Sequence, residues 1–181
     1  MNVIDTKLKE VKIIEPSIFS DERGYFFESF NSNRFNQAIG KDINFVQDNH
    51  SFSTKNTLRG IHYQLPPHAQ GKLVRVLEGE VYDIAVDLRR SSDSFGIWTG
   101  VILSGENKKQ FWVPEGFGHG FVVLSESAHF LYKTTNYYNK ESEGSIIWND
   151  KKLEIDWKID NPILSDKDAA ASKLQEAKLF E

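Results

Sequence analysis

LRGIHYQLPPHAQGKLVRVLEG, residues 58–79, is the stretch on whose division the fold depends. Leu58 to Gln64 has the apolar and β-branched content of a strand, Pro66-Pro67 breaks it, and a second apolar run begins at Lys72 and stops at Gly79. Two such runs around a turn predict a β-hairpin, with His62 on one strand facing Lys72 on the other. A histidine and a lysine placed that way suit proton transfer on a carbon acid, or the binding of a charged ligand. Taken alone, a histidine inside an apolar strand reads more simply as a hydrogen-bonded core residue.

Upstream of this stretch, a turn at Ser20 to Gly24 leads into the aromatic strand Tyr25 to Phe30. Asn31 or Ser32 can cap a short helix through Phe35 and Ile39, which Gly40 ends. Phe45 to Asn49 reads as a strand and Ser51 to Asn56 as a polar loop. Downstream, Val81 to Leu88 alternates so that Tyr82, Ile84, Val86 and Leu88 share a face. Ile97 to Leu103, Gln110 to Val113, Gly120 to Leu124 and Phe130 to Thr135 continue as short strands. Strands at this spacing, with few helices, predict a mainly β sandwich or barrel. From Ser165 onward, SDKDAAASKLQEAKLFE is rich in Ala, Leu, Lys and Glu and predicts a C-terminal helix outside the sheets.

Composition narrows the function. At 181 residues, without linker or repeat, residues 1–181 are expected to form one domain. No apolar run is long enough to cross a membrane. Met1 to Val11 carries charges where an export signal needs an apolar core, so a cytoplasmic protein is expected. The chain has no cysteine, which excludes disulfides and thiolate chemistry. A net charge of −4 without long single-sign blocks offers no footprint for nucleic acid. An anionic ligand must then be held by individually placed Arg and Lys residues.

Two segments resemble the paired motifs of the cupin superfamily. His62 stands at the first histidine of the H-x-H element, Gln64 at the second, Lys72 at the glutamate and Gly79 after six further residues. Pro114-Glu115-Gly116-Phe117-Gly118-His119 matches the second motif, P-x-G-x-x-H. The resemblance implies a jelly-roll barrel, with His62, Gln64, Lys72 and His119 directed at one interior site. An amide and an ammonium at two ligand positions disfavour a divalent metal, so no metal and no cofactor are expected. A fixed ammonium instead suits a developing enolate.

A more specific resemblance runs over nearly the whole chain. Asp21 to Glu28, Gln47 to Asn49, Leu58 to Gln64, Gly71 to Arg75, Pro114 to Gly120, Tyr132 to Thr135 and Leu164 to Asp168 are similar to seven ordered motifs of the dTDP-4-dehydrorhamnose 3,5-epimerase family. That resemblance implies inversion of C3 and C5 in dTDP-4-dehydro-6-deoxyglucose, both carbons lying beside the C4 ketone. It makes His62 the base, Asp168 its orienting carboxylate, Tyr132 the acid on the opposite face and Lys72 the partner of the enolate oxygen. It further implies that Arg23, Glu28, Gln47, Asp48, Asn49, Arg59, His119, Glu143 and Lys167 contact the nucleotide-sugar, with Tyr138 stacking on thymine. A homodimer is expected, with Arg23 reaching across the interface.

Singly, these residues have plainer readings. Tyr132 is a barrel filler, Arg23 and Glu28 a surface turn pair, and Lys167 a solvated helix residue. Ser165-Asp166-Lys167-Asp168 is a helix capping box with Asp168 at its third position. Strict alternation also puts Arg59 and His62 on opposite strand faces, so a bulge at Gly60 is expected if both reach one ligand. Three alternatives remain open at this level: an epimerase acting at one carbon, a ketoisomerase of a related dTDP-4-keto sugar, and a non-catalytic sugar-nucleotide cupin.

Overall fold

Short apolar strands cut by Gly, Pro and Asn turns leave backbone groups that only other strands can satisfy, and sheet packed on sheet is the outcome. The computed structural model describes residues 1–181. Its strands are β1 (Asn2–Asp5), β2 (Lys12–Glu15), β3 (Ile18–Asp21), β4 (Gly24–Phe27), β5 (Gln47–Thr54), β6 (Leu58–Gln64) and β7 (Lys72–Glu78). They continue as β8 (Glu80–Asp87), β9 (Trp98–Ser104), β10 (Gln110–Val113), β11 (Phe117–Val123), β12 (Ser127–Thr134) and β13 (Glu143–Ser145). A helix α1 (Ser32–Ile39), a single turn at Lys140–Ser142 and a short helix α2 (Asp166–Ala169) complete the chain.

The strands form a six-stranded sheet in the order β1-β2-β10-β7-β12-β5 and a five-stranded sheet in the order β13-β6-β11-β8-β9. Every pairing is antiparallel, and β3 with β4 makes a separate ribbon. The two sheets enclose a core that includes Val74, Val76, Val81, Ala85, Leu103, Phe111, Phe121 and Phe130, with Phe121 and Phe130 stacked at 4.1 Å. This is the jelly roll. Asn31 caps α1 through a bond accepted from the Arg34 amide, and Gly40 ends it at φ 74°. Its one fully buried side chain, Phe35, packs with Leu73 and Trp112 on the outer side of the six-stranded sheet.

Three expectations are corrected. The stretch 58–79 is not a hairpin: β6 lies in one sheet and β7 in the other. Both strands turn the same alternate residues inward, and that pattern is identical for hairpin neighbours and for strands facing each other across a sandwich. His62 and Lys72 therefore meet across the interior. Ser51 to Thr54 is strand rather than loop, because β5 turns Gln47, Asn49, Ser51 and Ser53 toward the interior and shows no apolar alternation.

The third correction concerns the C-terminus, where helix is confined to Asp166–Ala169. Leu174, Ala177, Leu179 and Phe180 instead pack beside Tyr63, Ile146 and Trp157 on the outer face of the five-stranded sheet. The Ile147 amide donates to Ser172 and the Arg90 amide to Phe180, so beyond one turn at Lys173–Ala177 this segment's backbone bonds to its neighbours. Burying four apolar residues outweighs a helix propensity of a few tenths of a kcal/mol per residue.

The bulge at Gly60 is present. On β6 and β11, His62 pairs with His119 and Arg59 with Phe121, so three steps along β6 oppose two along β11. Gly60 has φ 131°, and a Cβ there would stand 2.5 Å from the Gly120 Cα. Only glycine permits that approach. The extra residue brings Arg59 round to donate from Nε to Ser53 Oγ on β5, 3.0 Å away.

Candidate active site

One end of the sandwich interior is apolar and the other is polar. His62 on β6 and its register partner His119 on β11 project to the same side of the five-stranded sheet. Lys72 opens β7 on the facing sheet, with Tyr132 on β12 and Asn49 on β5 directly paired beside it. The alternation that fills the lower interior with Val74, Val76 and Phe130 thus delivers Lys72 and Tyr132 at its top.

His62 Nε2 lies 2.5 Å from Asp168 Oδ1, across 106 residues of sequence. The His62 side chain is 29 % exposed and that of Asp168 only 5 %. Asp168 is at once the helix cap and the partner of histidine. Its amide donates to Ser165 Oγ at 3.1 Å, while the Ser165 hydroxyl donates to Asp168 Oδ2 at 2.9 Å. One carboxylate oxygen serves the cap and the other serves His62. Burial works to raise the Asp168 pKa, but the bonds from His62 and Ser165 outweigh it and hold the carboxyl below its usual range. An ionised partner on Nε2 keeps that nitrogen protonated and the lone pair on Nδ1.

Lys72 directs Nζ to the backbone carbonyl of His62 at 3.5 Å. Burial pulls its pKa down to about 8, against the nearby charges of Asp83 and Glu143, with Lys167 adding to the depression. Burial raises the Tyr132 pKa, while the charge of Arg59 pulls it back.

Sequence reasoning missed Asp83. This carboxylate on β8 is fully buried and holds His119 Nε2 at 2.9 and 3.0 Å through its two oxygens. Burial drives its pKa up, and the charges of His119 and Lys72 oppose that. An aspartate inside the apolar run VYDIAVD was the available signal, since a charge is rarely buried without a partner.

At the rim, Glu143 accepts from Lys167 Nζ at 2.5 Å and from the Tyr138 hydroxyl at 3.2 Å. Gln47 accepts from the Tyr138 amide at 3.2 Å and donates to Asn49 Oδ1 at 2.9 Å. These residues gather with His62, Lys72, His119 and Tyr132 at the polar end of the interior. Asp48 does not: its side chain is on the outer face of β5, 2.9 Å from Lys133. Arg23 and Glu28 lie apart as well. Arg23 pairs with Asp21 at 2.6 Å on the β3–β4 ribbon, and Glu28 bonds Asn31 and Arg34.

Two of the four cupin ligand positions are engaged otherwise. Lys72 presents a cation, and both ends of the buried Gln64 amide are bonded to main chain. A divalent metal finds no ligand set in this geometry. A carboxylate-oriented histidine, a part-buried ammonium and a part-buried phenol at one end of the barrel are the parts of an enolising acid–base site.

Comparison with known proteins agrees. Residues 5–176 match the family model described as dTDP-4-dehydrorhamnose 3,5-epimerase. A Shigella flexneri protein of that name is 58 % identical over 180 residues, covering 99 % of each chain. The crystal structure of a Legionella pneumophila dTDP-6-deoxy-D-glucose-3,5-epimerase in complex with dTDP-4-keto-L-rhamnose superposes with a TM-score of 0.93 at 56 % identity, over 97 % of this chain and 93 % of that one. A 3'-monoepimerase from Streptomyces bikiniensis in complex with dTDP-quinovose shares the architecture at a TM-score of 0.88 but only 34 % identity, over 94 % and 87 % of the two chains. The chain belongs to the dTDP-4-dehydrorhamnose 3,5-epimerase family.

Proposed function

We propose that this chain converts dTDP-4-dehydro-6-deoxy-D-glucose to dTDP-4-dehydro-L-rhamnose by inverting C3 and C5. The observation that carries the reading is the 2.5 Å pair of His62 and Asp168 beside the part-buried Lys72. Each inverted carbon is acidified by the C4 ketone. The free His62 nitrogen takes the proton, and the C–H electrons move through the new C=C bond onto the C4 oxygen as an enolate. The Lys72 ammonium stabilises that oxygen. Tyr132 returns a proton to the carbon from the opposite face, and the carbonyl re-forms with inverted configuration. Asp168 keeps His62 in the tautomer that presents its lone pair and offsets the imidazolium charge.

The remaining rim residues are read as nucleotide-sugar contacts. Arg59 suits the diphosphate through its forked donors. His119 and Asn49 border the sugar, Glu143 and Lys167 the entrance, and Tyr138 offers its ring to the thymine. Arg23 and Glu28 are read as acting on a second copy of the chain, in a homodimer. The ribbon that carries Arg23 supports this, since Phe19 and Phe26 are 66 % and 71 % exposed on it. The 181 residues are read as one domain, at work in the cytoplasm, and no helix is long and apolar enough to cross a membrane.

Turnover of the dTDP-4-keto sugar in deuterated water tests the reaction. Deuterium at both C3 and C5 of the product is expected. Label at C3 alone would place the chain with single-carbon epimerases such as the Streptomyces bikiniensis relative.

A further inference from the structure

Gln64 stands on the same face of β6 as His62, yet it does not line the reaction site with a free group. It is 4 % exposed, and its amide is saturated by main-chain partners. Nε2 donates to the His68 carbonyl at 2.6 Å and to the Tyr137 carbonyl at 3.2 Å, while Oε1 accepts from the Asn139 amide at 2.8 Å.

The last two partners flank Tyr138. A residue in a parallel strand donates to the carbonyl before its neighbour and accepts from the amide after it. The Gln64 side chain makes that same pair of bonds, so its carboxamide replaces a missing strand and fixes both backbone torsions of Tyr138. The third bond ties the same amide to the loop around Pro66-Pro67, which leads to Lys72. The Tyr138 ring itself is 57 % exposed. Its orientation therefore follows from its backbone and from the bond of its hydroxyl to Glu143.

We propose that Gln64 is a positioning residue for nucleobase recognition. Its carboxamide sets the backbone of Tyr138 before ligand arrives, so that stacking on the base of a pyrimidine nucleoside diphosphate orders little more of the chain. This rests on the reading of Tyr138 as the base platform. A free loop would lose its conformational entropy on binding and weaken affinity without touching the His62–Asp168 pair.

Gln64→Glu keeps size and acceptor but turns a carboxylate toward two carbonyls. Gln64→Leu removes all three bonds at similar volume. Thermal unfolding identifies the folded variants, and the uncharged Gln64→Leu serves if the glutamate does not fold. Calorimetric titration with dTDP is expected to show Kd raised about tenfold, and steady-state assays a comparable rise in KM with kcat lowered less than about threefold. In a Tyr138→Ala background, which itself weakens dTDP binding, the Gln64 substitution is expected to add less than about twofold. An unchanged dTDP Kd, full additivity with Tyr138→Ala, or a fall in kcat as large as the rise in KM overturns the proposal. A wild-type protein that binds no dTDP overturns the proposed function and this inference together. A wild-type protein that binds dTDP as well as its Gln64 variants do overturns the inference alone.

Discussion

The molecule contains two histidine–aspartate pairs whose histidines are register partners on adjacent strands, and the pairs are not alike. His119 and Asp83 are both buried, and Asp83 turns both oxygens on one nitrogen, at 2.9 and 3.0 Å. His62 is partly exposed, and Asp168 divides its oxygens between His62 and Ser165. Asp83 comes from the neighbouring strand β8, Asp168 from a segment that crosses the outside of the fold. The first pair is closed in by the barrel. The second opens to the cleft on the histidine side and is anchored to a helix cap on the other. Identical side chains thus differ in solvent access and in what holds the carboxylate, which is the ground for assigning the chemistry to the His62 pair.

Lys72 lies between the pairs, bonded to the His62 carbonyl and sensing the charge of Asp83, so its loss is expected to have the largest effect. Lys72→Met is expected to lower kcat by about a thousandfold, as read by steady-state turnover, with dTDP affinity changed far less. The ammonium also sets a pH limit. Its folded pKa of about 8 lies below the ordinary 10.5, so activity is expected to fall as pH rises through about 8. Stability moves the other way. The cost of burying the charge is present below about 8 and is relieved toward 10.5, because the unfolded chain binds more protons in that window. A rate and an unfolding midpoint that decline together above pH 8 would count against Lys72 as the group responsible.

The next two substitutions separate the pairs. Asp83→Ala strands a buried histidine and is expected to cost about 3 kcal/mol of stability, measured by denaturant unfolding. Asp168→Asn keeps the cap geometry and is expected to cost little stability but about a hundredfold in kcat. Equal effects of both on kcat and on stability would erase the distinction drawn between the pairs. Ser165→Ala, the mildest, is expected to cost about 1 kcal/mol and a few-fold in kcat, by loosening Asp168 at its cap.

The legible and the hidden parts of the molecule follow the same division. Alternation along β8 and the cap-to-glycine span of α1 are local patterns, and both appear as read. Leu58 to Gly79 supplied the right residues in the wrong connection, since inward alternation carries no information on whether strands are neighbours or face each other. The C-terminal segment misled because propensity is local while the burial of Leu174 and Phe180 is not. Asp168 was legible only through family resemblance, its cap being the complete local explanation. Asp83 sat in plain view on β8, but its partner His119 pairs with it through tertiary structure alone. The ribbon residues Arg23 and Glu28 bond to Asp21, Asn31 and Arg34 instead of to residues around His62, and a part for them in the site belongs to the proposed homodimer.

Wash-in of solvent deuterium at C3 and C5, followed in His62→Ala and Tyr132→Phe beside the wild-type protein, tests the opposed base and acid most directly. The expected result is no exchange in His62→Ala, and exchange without complete inversion in Tyr132→Phe, whose base still removes protons. Exchange at both carbons that survives in folded His62→Ala would contradict the assignment of His62 as the base.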